Sequence, residues 1–284
     1  MTFDLTLRAS SLLIRDDVAE FVHQRPDTRN PLSVELREDY KQMLTVVEHN
    51  RAVKVLLITG SGGSFCAGGN IKEMQDRLQG DDESVRTPAA TRARLADANA
   101  WLRRLRALDA VVIAAVDGSA FGGGLSLALH ADFILASTRA VFSMSFARLG
   151  LTPDFGAVYL LPRIVGVTAA RDMMLTGRKV SAQQALHMGM IHELHTPDLL
   201  LQRARAMARA LSRASGDAMG MTKKLLNQSL DADYDTLGAA EAYTQAVAMS
   251  TGYHRQAIAA FLEKRPALYD WERDSGSMES GDQQ

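Results

Sequence analysis

The sequence predicts an α/β fold that gives way to a helical C-terminal region, on three observations. Short apolar, β-branched runs alternate with segments of helical period through most of the chain. Two of those runs lead into glycine-rich turns. Beyond Leu199 the strand signal disappears.

Taken in order, Leu12-Leu13-Ile14 and the group Val18, Ala19, Phe21 and Val22 flank Arg15-Asp16-Asp17, a charged triplet suited to a tight turn. This is an N-terminal hairpin. In the segment 32–50, Leu36, Tyr40, Met43, Leu44 and Val47 recur at spacings of three and four, the period of an amphipathic helix. Lys54 to Thr59 then reads as a strand covered on both faces and stopped by Gly60. A second unit follows: Ala98, Trp101, Leu102, Leu105 and Leu108 form one helical stripe, with Arg92, Arg103, Arg104 and Arg106 on a solvated side, and Val111 to Val116 is the next buried strand. Leu125 to Leu129 reads as a helix, Phe133 to Ala136 as a strand, and Met188 to Leu194 as a turn and short strand.

From Leu199 to Leu230 and from Leu237 to Lys264 the pattern is helical only, and Pro266 stops the last helix. These signals divide the chain into a core over residues 1–205, a helical region over 206–272, and a mobile tail over 273–284 that has almost nothing to bury.

Composition removes several function classes. The chain has 284 residues with 32 basic and 33 acidic side chains, so a net charge of -1 gives no field to draw it to nucleic acid or an anionic membrane. Cys66 is the single cysteine, which excludes an internal disulfide or multi-cysteine zinc site and fits a reducing compartment. The longest apolar run, Ala110 to Val116, is far short of a membrane span, and residues 1–16 lack a secretory pattern, so the expected location is the cytoplasm.

The chemistry is expected at the two glycine turns, Ser64 to Met74 and Asp117 to Gly124. A strand that breaks into such a turn and then a helix leaves backbone amides unpaired and pointing outward. Without a Cβ in the way, a small ligand can reach them. Spacing excludes a dinucleotide fingerprint, because Phe65 and Leu127 occupy the places of the third glycine, and there is no phosphate-binding GxxxxGK[ST] run. Ser126 in Gly124-Leu125-Ser126-Leu127-Ala128 is too far from the strand end for a nucleophile elbow. His187, His192 and His195 lack metal-ligand spacing, so no metal is expected.

The two turns resemble the paired signatures of the crotonase (enoyl-CoA hydratase/isomerase) superfamily. The likeness continues through Leu149 to Gly156, Leu161 to Gly166, Leu175 to Arg178, Ser181 to Leu186 and Ala260 to Pro266, nearly the whole chain from about Pro26. It implies a spiral of repeated β-β-α units, a C-terminal helical region that assembles trimers or dimers of trimers, an acyl-CoA thioester as substrate, and no cofactor beyond the CoA that the substrate carries. It also implies that the amides of Gly69 and Gly123 grip the thioester oxygen, that Gly69, Asn70, Ile71 and Lys72 border the pantetheine and adenine, and that Ala67 and Gly68 join them in binding the substrate. Proton removal beside a thioester carbonyl places charge on that oxygen, and each well-aimed donor is worth about 3 kcal/mol of barrier.

The acid residues decide the reaction. Hydratases of this family carry two glutamates, and the matching places here are Ser126 and Phe146, neither of them a base. Phe146 would instead dry the acyl pocket. Asp154, in Thr152-Pro153-Asp154-Phe155-Gly156, stands where family members with a single acid place theirs. A carboxyl in an apolar pocket has a raised pKa and can move a proton from one carbon to another. The first expectation is therefore an enoyl-CoA isomerase with Asp154 as proton shuttle. The alternatives are a hydratase or hydrolase using another acid, with Glu73 and Asp76 nearest, or a CoA-binding member with weak chemistry. The stretch 79–90, rich in Asp, Ser and Thr, reads as a mobile flap beside the acyl pocket.

Overall fold

The structure, a computed structural model, describes residues 2–275. The chain opens with β1 (Phe3–Thr6), β2 (Ser10–Arg15) and β3 (Val18–His23). β2 and β3 form the expected hairpin, paired from Ser10–His23 to Arg15–Val18 around the turn Asp16-Asp17, where Asp16 takes a left-handed φ of 53°. β1 is an edge strand that periodicity did not reveal, because its side chains are mostly exposed.

Ser33 caps α1 (Val34–His49), its side chain accepting from Leu36 N, and Leu36, Tyr40, Met43, Leu44 and Val47 turn inward as their spacing requires. Next come β4 (Val55–Gly60), α2 (Ile71–Gln79) and α3 (Pro88–Ala107), which carries Trp101, Leu102 and Leu105 into the core. Between α2 and α3 the stretch 79–90 holds a 3-10 turn, Glu83–Arg86, tied down by Arg86 to Leu78 O (3.0 Å) and Arg94 to Val85 O (2.8 Å).

The chain then repeats a simple unit. β5 (Val111–Val116) lies in the large sheet, β6 (Ser119–Phe121) in a smaller one, and α4 (Gly123–Ala128) follows; β7 (Phe133–Ser137), β8 (Val141–Ser143) and, after a 3-10 turn at Ser145–Leu149, α5 (Ala157–Thr176) do the same. β4, the isolated parallel bridge of Cys66 with Ala120, and α2 make the first such turn. β9 (Val180–Ser181), α6 (Ala182–His187) and β10 (Glu193–His195) complete the two sheets. The large sheet has the order β1-β2-β3-β4-β5-β7-β10, parallel from β3 onward; the small one is β6-β8-β9. Alternate residues of β4 serve the two faces: Leu56 and Ile58 meet the core that includes α1 and α3, while Val55 and Leu57 meet α7 (Pro197–Ser212).

Two expected boundaries change. Residue 205 falls inside α7, whose Leu200, Ala204, Met207, Ala208 and Leu211 pack on the sheet, so the shift to helical composition begins within the core layer. After α8 (Gly216–Gln228), α9 (Tyr234–Ser250) and α10 (Gly252–Leu262), the chain forms α11 (Trp271–Asp274) where the tail was to begin. Asp274 there pairs with Arg213 at 3.1 Å and Ser275 is buried. The rest of the expected tail, 276–284, lies outside the described residues. Among the described residues no helix is long and apolar enough to cross a membrane.

Candidate active site

The two glycine turns are stitched to each other through the main chain. Phe65 N donates to Asp117 O (2.8 Å), Cys66 N to Ser119 O (2.9 Å) and Phe121 N to Cys66 O (3.1 Å), so 65–67 runs beside 117–121. Leu32 N closes the other side on Gly68 O at 2.8 Å. Gly68 has a φ of +91°, and a Cβ there would press on Phe121 O and lie 3.7 Å from Gly123 N. Both the left-handed backbone and the close approach exclude a side chain.

This stitching sets the turn that carries Gly69 against the one that carries Gly123. Asn70 caps α2 by accepting from Lys72 N (3.1 Å) and Glu73 N (3.3 Å), and Gly123 is the first residue of α4. Neither the Gly69 nor the Gly123 N–H donates to a group among the described residues. Two such donors can receive one oxygen that gains negative charge. The side chains beside the two glycines are apolar: a Cβ on Gly69 would be 2.5 Å from Met74 Cε, and one on Gly123 would be 3.1 Å from Leu32 Cδ1 and 3.6 Å from Phe155 Cδ2. Leu32 carried no sequence signal beyond its place before a helix cap.

The run Ala67 to Lys72 passes from this interior to the surface: Gly68 is buried, Ala67, Gly69 and Asn70 are half-buried, and Ile71 and Lys72 are exposed. Phe146, on the 3-10 turn, is buried with its ring behind Gly122, Cζ lying 3.8 Å from where a Cβ would be. Ser126 is fully buried, its Oγ donating to Gly122 O at 3.2 Å.

Asp154 sits in the turn that enters α5, held by Ala157 N donating to its carbonyl at 3.1 Å. Its Oδ1 is buried without a hydrogen-bond partner. Burial pushes its pKa up to about 6, opposed by its own backbone N–H and by the charge of Arg37. The next two residues, Phe155 (φ 54°) and Gly156 (φ 76°), are both left-handed. For a phenylalanine this backbone costs about 1 kcal/mol or more. It turns the ring onto Gly123 and edge-on to Trp101, with centroids 6.3 Å apart. Asp154 is therefore the immediate neighbour of a side chain that touches the Gly123 position.

The alternative acids are differently placed. Glu73 accepts from Val34 N (3.1 Å) and Asn70 Nδ2 (3.0 Å) and faces Arg37 at 3.7 Å; Asp76 is exposed. Cys66 is buried and its thiol is pushed up to about 12, which makes it inert at neutral pH. Among the described residues no three His, Cys, Asp or Glu side chains gather to hold a metal.

Comparison with known proteins decides the lineage of this arrangement. The family model described as enoyl-CoA hydratase/isomerase matches residues 14–273. The chain belongs to the enoyl-CoA hydratase/isomerase family. Within it, the chain is 34% identical over 241 residues to the 1,2-epoxyphenylacetyl-CoA isomerase of Escherichia coli K12, covering 85% of this chain and 90% of that protein. It is 30% identical over 251 residues to the short-chain-enoyl-CoA hydratase of Clostridium acetobutylicum, covering 87% and 92%. Among solved structures, an enoyl-CoA hydratase/isomerase from Cupriavidus metallidurans CH34 superposes with a TM-score of 0.87 at 39% identity, over 93% of this chain and 97% of that one. The crotonase fold is thus shared, and relatives named isomerase and hydratase both occur.

Proposed function

We propose that this family member is an enoyl-CoA isomerase: the amides of Gly69 and Gly123 hold the thioester oxygen while Asp154 carries one proton between two carbons of the acyl chain. One observation carries the reading, a lone carboxyl with an unpartnered oxygen and a pKa near 6, one residue from the ring that covers Gly123. At neutral pH such a group is mostly ionised and can take the α proton of a 3-enoyl thioester. The C–H electron pair moves into a dienolate whose negative oxygen faces the two N–H groups, and the protonated Asp154 then returns the proton at the γ carbon. The sequence is redox-neutral, so no cofactor is required beyond the CoA of the substrate. Ala67 to Lys72 would lie along the CoA, and Phe146 would keep the acyl pocket dry.

A hydratase needs a second group to activate water. Ser126 and Phe146 do not supply one, and the Glu73 carboxylate is occupied by two donors and Arg37. The relatives' names do not choose between the two, one being a 1,2-epoxyphenylacetyl-CoA isomerase and another a short-chain-enoyl-CoA hydratase. The assembly we propose is a homotrimer or dimer of trimers in the cytoplasm, supported by the apolar side chains that α9 and α10 leave exposed, among them Tyr243, Val247, Phe261 and Leu262.

The test is turnover of a 3-enoyl-CoA and, separately, a 2-enoyl-CoA in heavy-oxygen water, followed by mass spectrometry. Mass-neutral conversion of the 3-enoyl form is expected. Incorporation of heavy water across the 2-enoyl bond, without isomerisation, would overturn the proposal in favour of a hydratase.

A further inference from the structure

The short helix α4 meets the Asp154 turn at both of its ends. At the first, Gly123 faces Phe155, whose ring atoms lie 3.6 and 3.8 Å from the place of a Cβ. Just past the last, His130 faces Gly156: a Cβ there would be 3.0 Å from the imidazole Cε1 and 3.3 Å from Nε2. The ring is anchored in turn, with Nδ1 3.2 Å from Ser126 O, and it is buried.

A carbonyl oxygen only accepts, so this contact assigns the N–H to Nδ1 and leaves a lone pair on Nε2. Burial, and the charges of Arg106 and Lys223, hold the pKa of His130 down to about 3, so the imidazole is neutral throughout the working range. It is a wedge of defined shape rather than a proton carrier. The turn above it needs support, because two successive left-handed residues, one of them a phenylalanine, persist only where the surroundings over-determine them. Phe155 on Gly123 is one support and the imidazole under Gly156 is the other.

We propose that His130 is a positioning residue: by filling the space against Gly156 while bound to the Ser126 carbonyl, it sets the Asp154 carboxyl relative to the Gly123 amide. This rests on the reading of Asp154 as the proton carrier. One helix, with the oxygen-gripping glycine at its start and the wedge beyond its end, then governs both halves of the site.

Three variants separate shape from hydrogen bonding. His130→Ala removes both, His130→Asn keeps a donor near the place of Nδ1 but no ring, and His130→Phe keeps the ring alone. The carboxyl of Asp154 is titrated by carbon NMR in the full chain without substrate, with Arg37, the charge that acts on it, left in place. The midpoint is expected near 6 in the wild type and in His130→Phe, and lower, toward the ordinary aspartate range, in His130→Ala and His130→Asn as the turn loosens into water. On a 3-enoyl-CoA, kcat is expected to fall about tenfold or more in the latter two with KM unchanged, since small displacements of a catalytic group cost that much. An unchanged midpoint in folded His130→Asn overturns the positioning role, whether or not the protein isomerises anything; this variant carries the test should His130→Ala fail to fold. The expected midpoints in a protein that turns over no enoyl-CoA overturn the proposed function and leave the structural contact standing.

Discussion

Gly124 and Cys66 approach so closely that no side chain fits between them: a Cβ on Gly124 would sit 2.9 Å from both Cβ and Sγ of Cys66, and nearer still to its carbonyl oxygen. That contact holds the second glycine turn against the first. Gly124→Ala is expected to force the turns apart, costing about 2 kcal/mol and lowering Tm by roughly 3–4 °C in a chain of this size. Thermal unfolding checks it, and an unchanged Tm would show that the turns separate freely.

Asp154→Asn is expected to lower isomerase turnover about 10³-fold while raising stability at alkaline pH. The folded pKa, about 6, lies above the unfolded value, so the folded chain binds the extra proton between the two. Wild-type stability is accordingly lost as pH rises through that window, by an amount on the order of 1–2 kcal/mol. Urea midpoints of the two proteins should coincide near pH 4 and diverge by pH 8, with the variant the more stable. In the wild type kcat/KM should rise as pH passes about 6, where Asp154 ionises.

Acid should act in the opposite sense on two buried imidazoles. His23, with Nδ1 2.9 Å from Phe65 O and Nε2 2.7 Å from Tyr40 OH, is held down to about 4 by burial, and His130 to about 3. A depressed folded pKa contributes stability above the unfolded value of about 6.5 that is lost as pH falls toward the folded one. Each is expected to withdraw on the order of 2–3 kcal/mol by pH 4.5. Urea midpoints at pH 7 and 4.5 for the wild type and His23→Gln measure it: the variant should show the smaller drop.

Lys223 is buried on α8 with Nζ 2.7 Å from Asp132 Oδ2 and 3.0 Å from Ala110 O, and the same Oδ2 accepts from Val112 N at 2.7 Å. Lys223→Ala would strand that carboxylate at the start of β5 and β7. The expected cost is about 3 kcal/mol, read from urea unfolding, with binding of acyl-CoA retained in the folded fraction.

Much of this was legible in the residues themselves. Unbroken apolar runs located β4 and β5, which are buried on both faces, and period 3.6 located α1 and α3, while β1 escaped because it has almost no buried face. The glycines at 68, 69 and 122 to 124 announced a close approach, though only the fold shows what approaches: Phe121 O, Met74 and Cys66. That Gly156 and His130 press on each other follows from chain crossings no local pattern encodes. Likewise, the helical composition near 205 marked a change of element type, which sequence cannot distinguish from a change of domain.

α9 runs for 17 residues without burying one side chain against the rest of its chain, and it touches chiefly α8 and α10. A helix so placed draws little from tertiary packing, and its own propensity is marginal at that length. Its amide protons should accordingly exchange with solvent far faster than those of β4 or β5 in dilute protein. Any association that covers Tyr243 and Val247 would slow that exchange by mass action, so its rate should read out protein concentration.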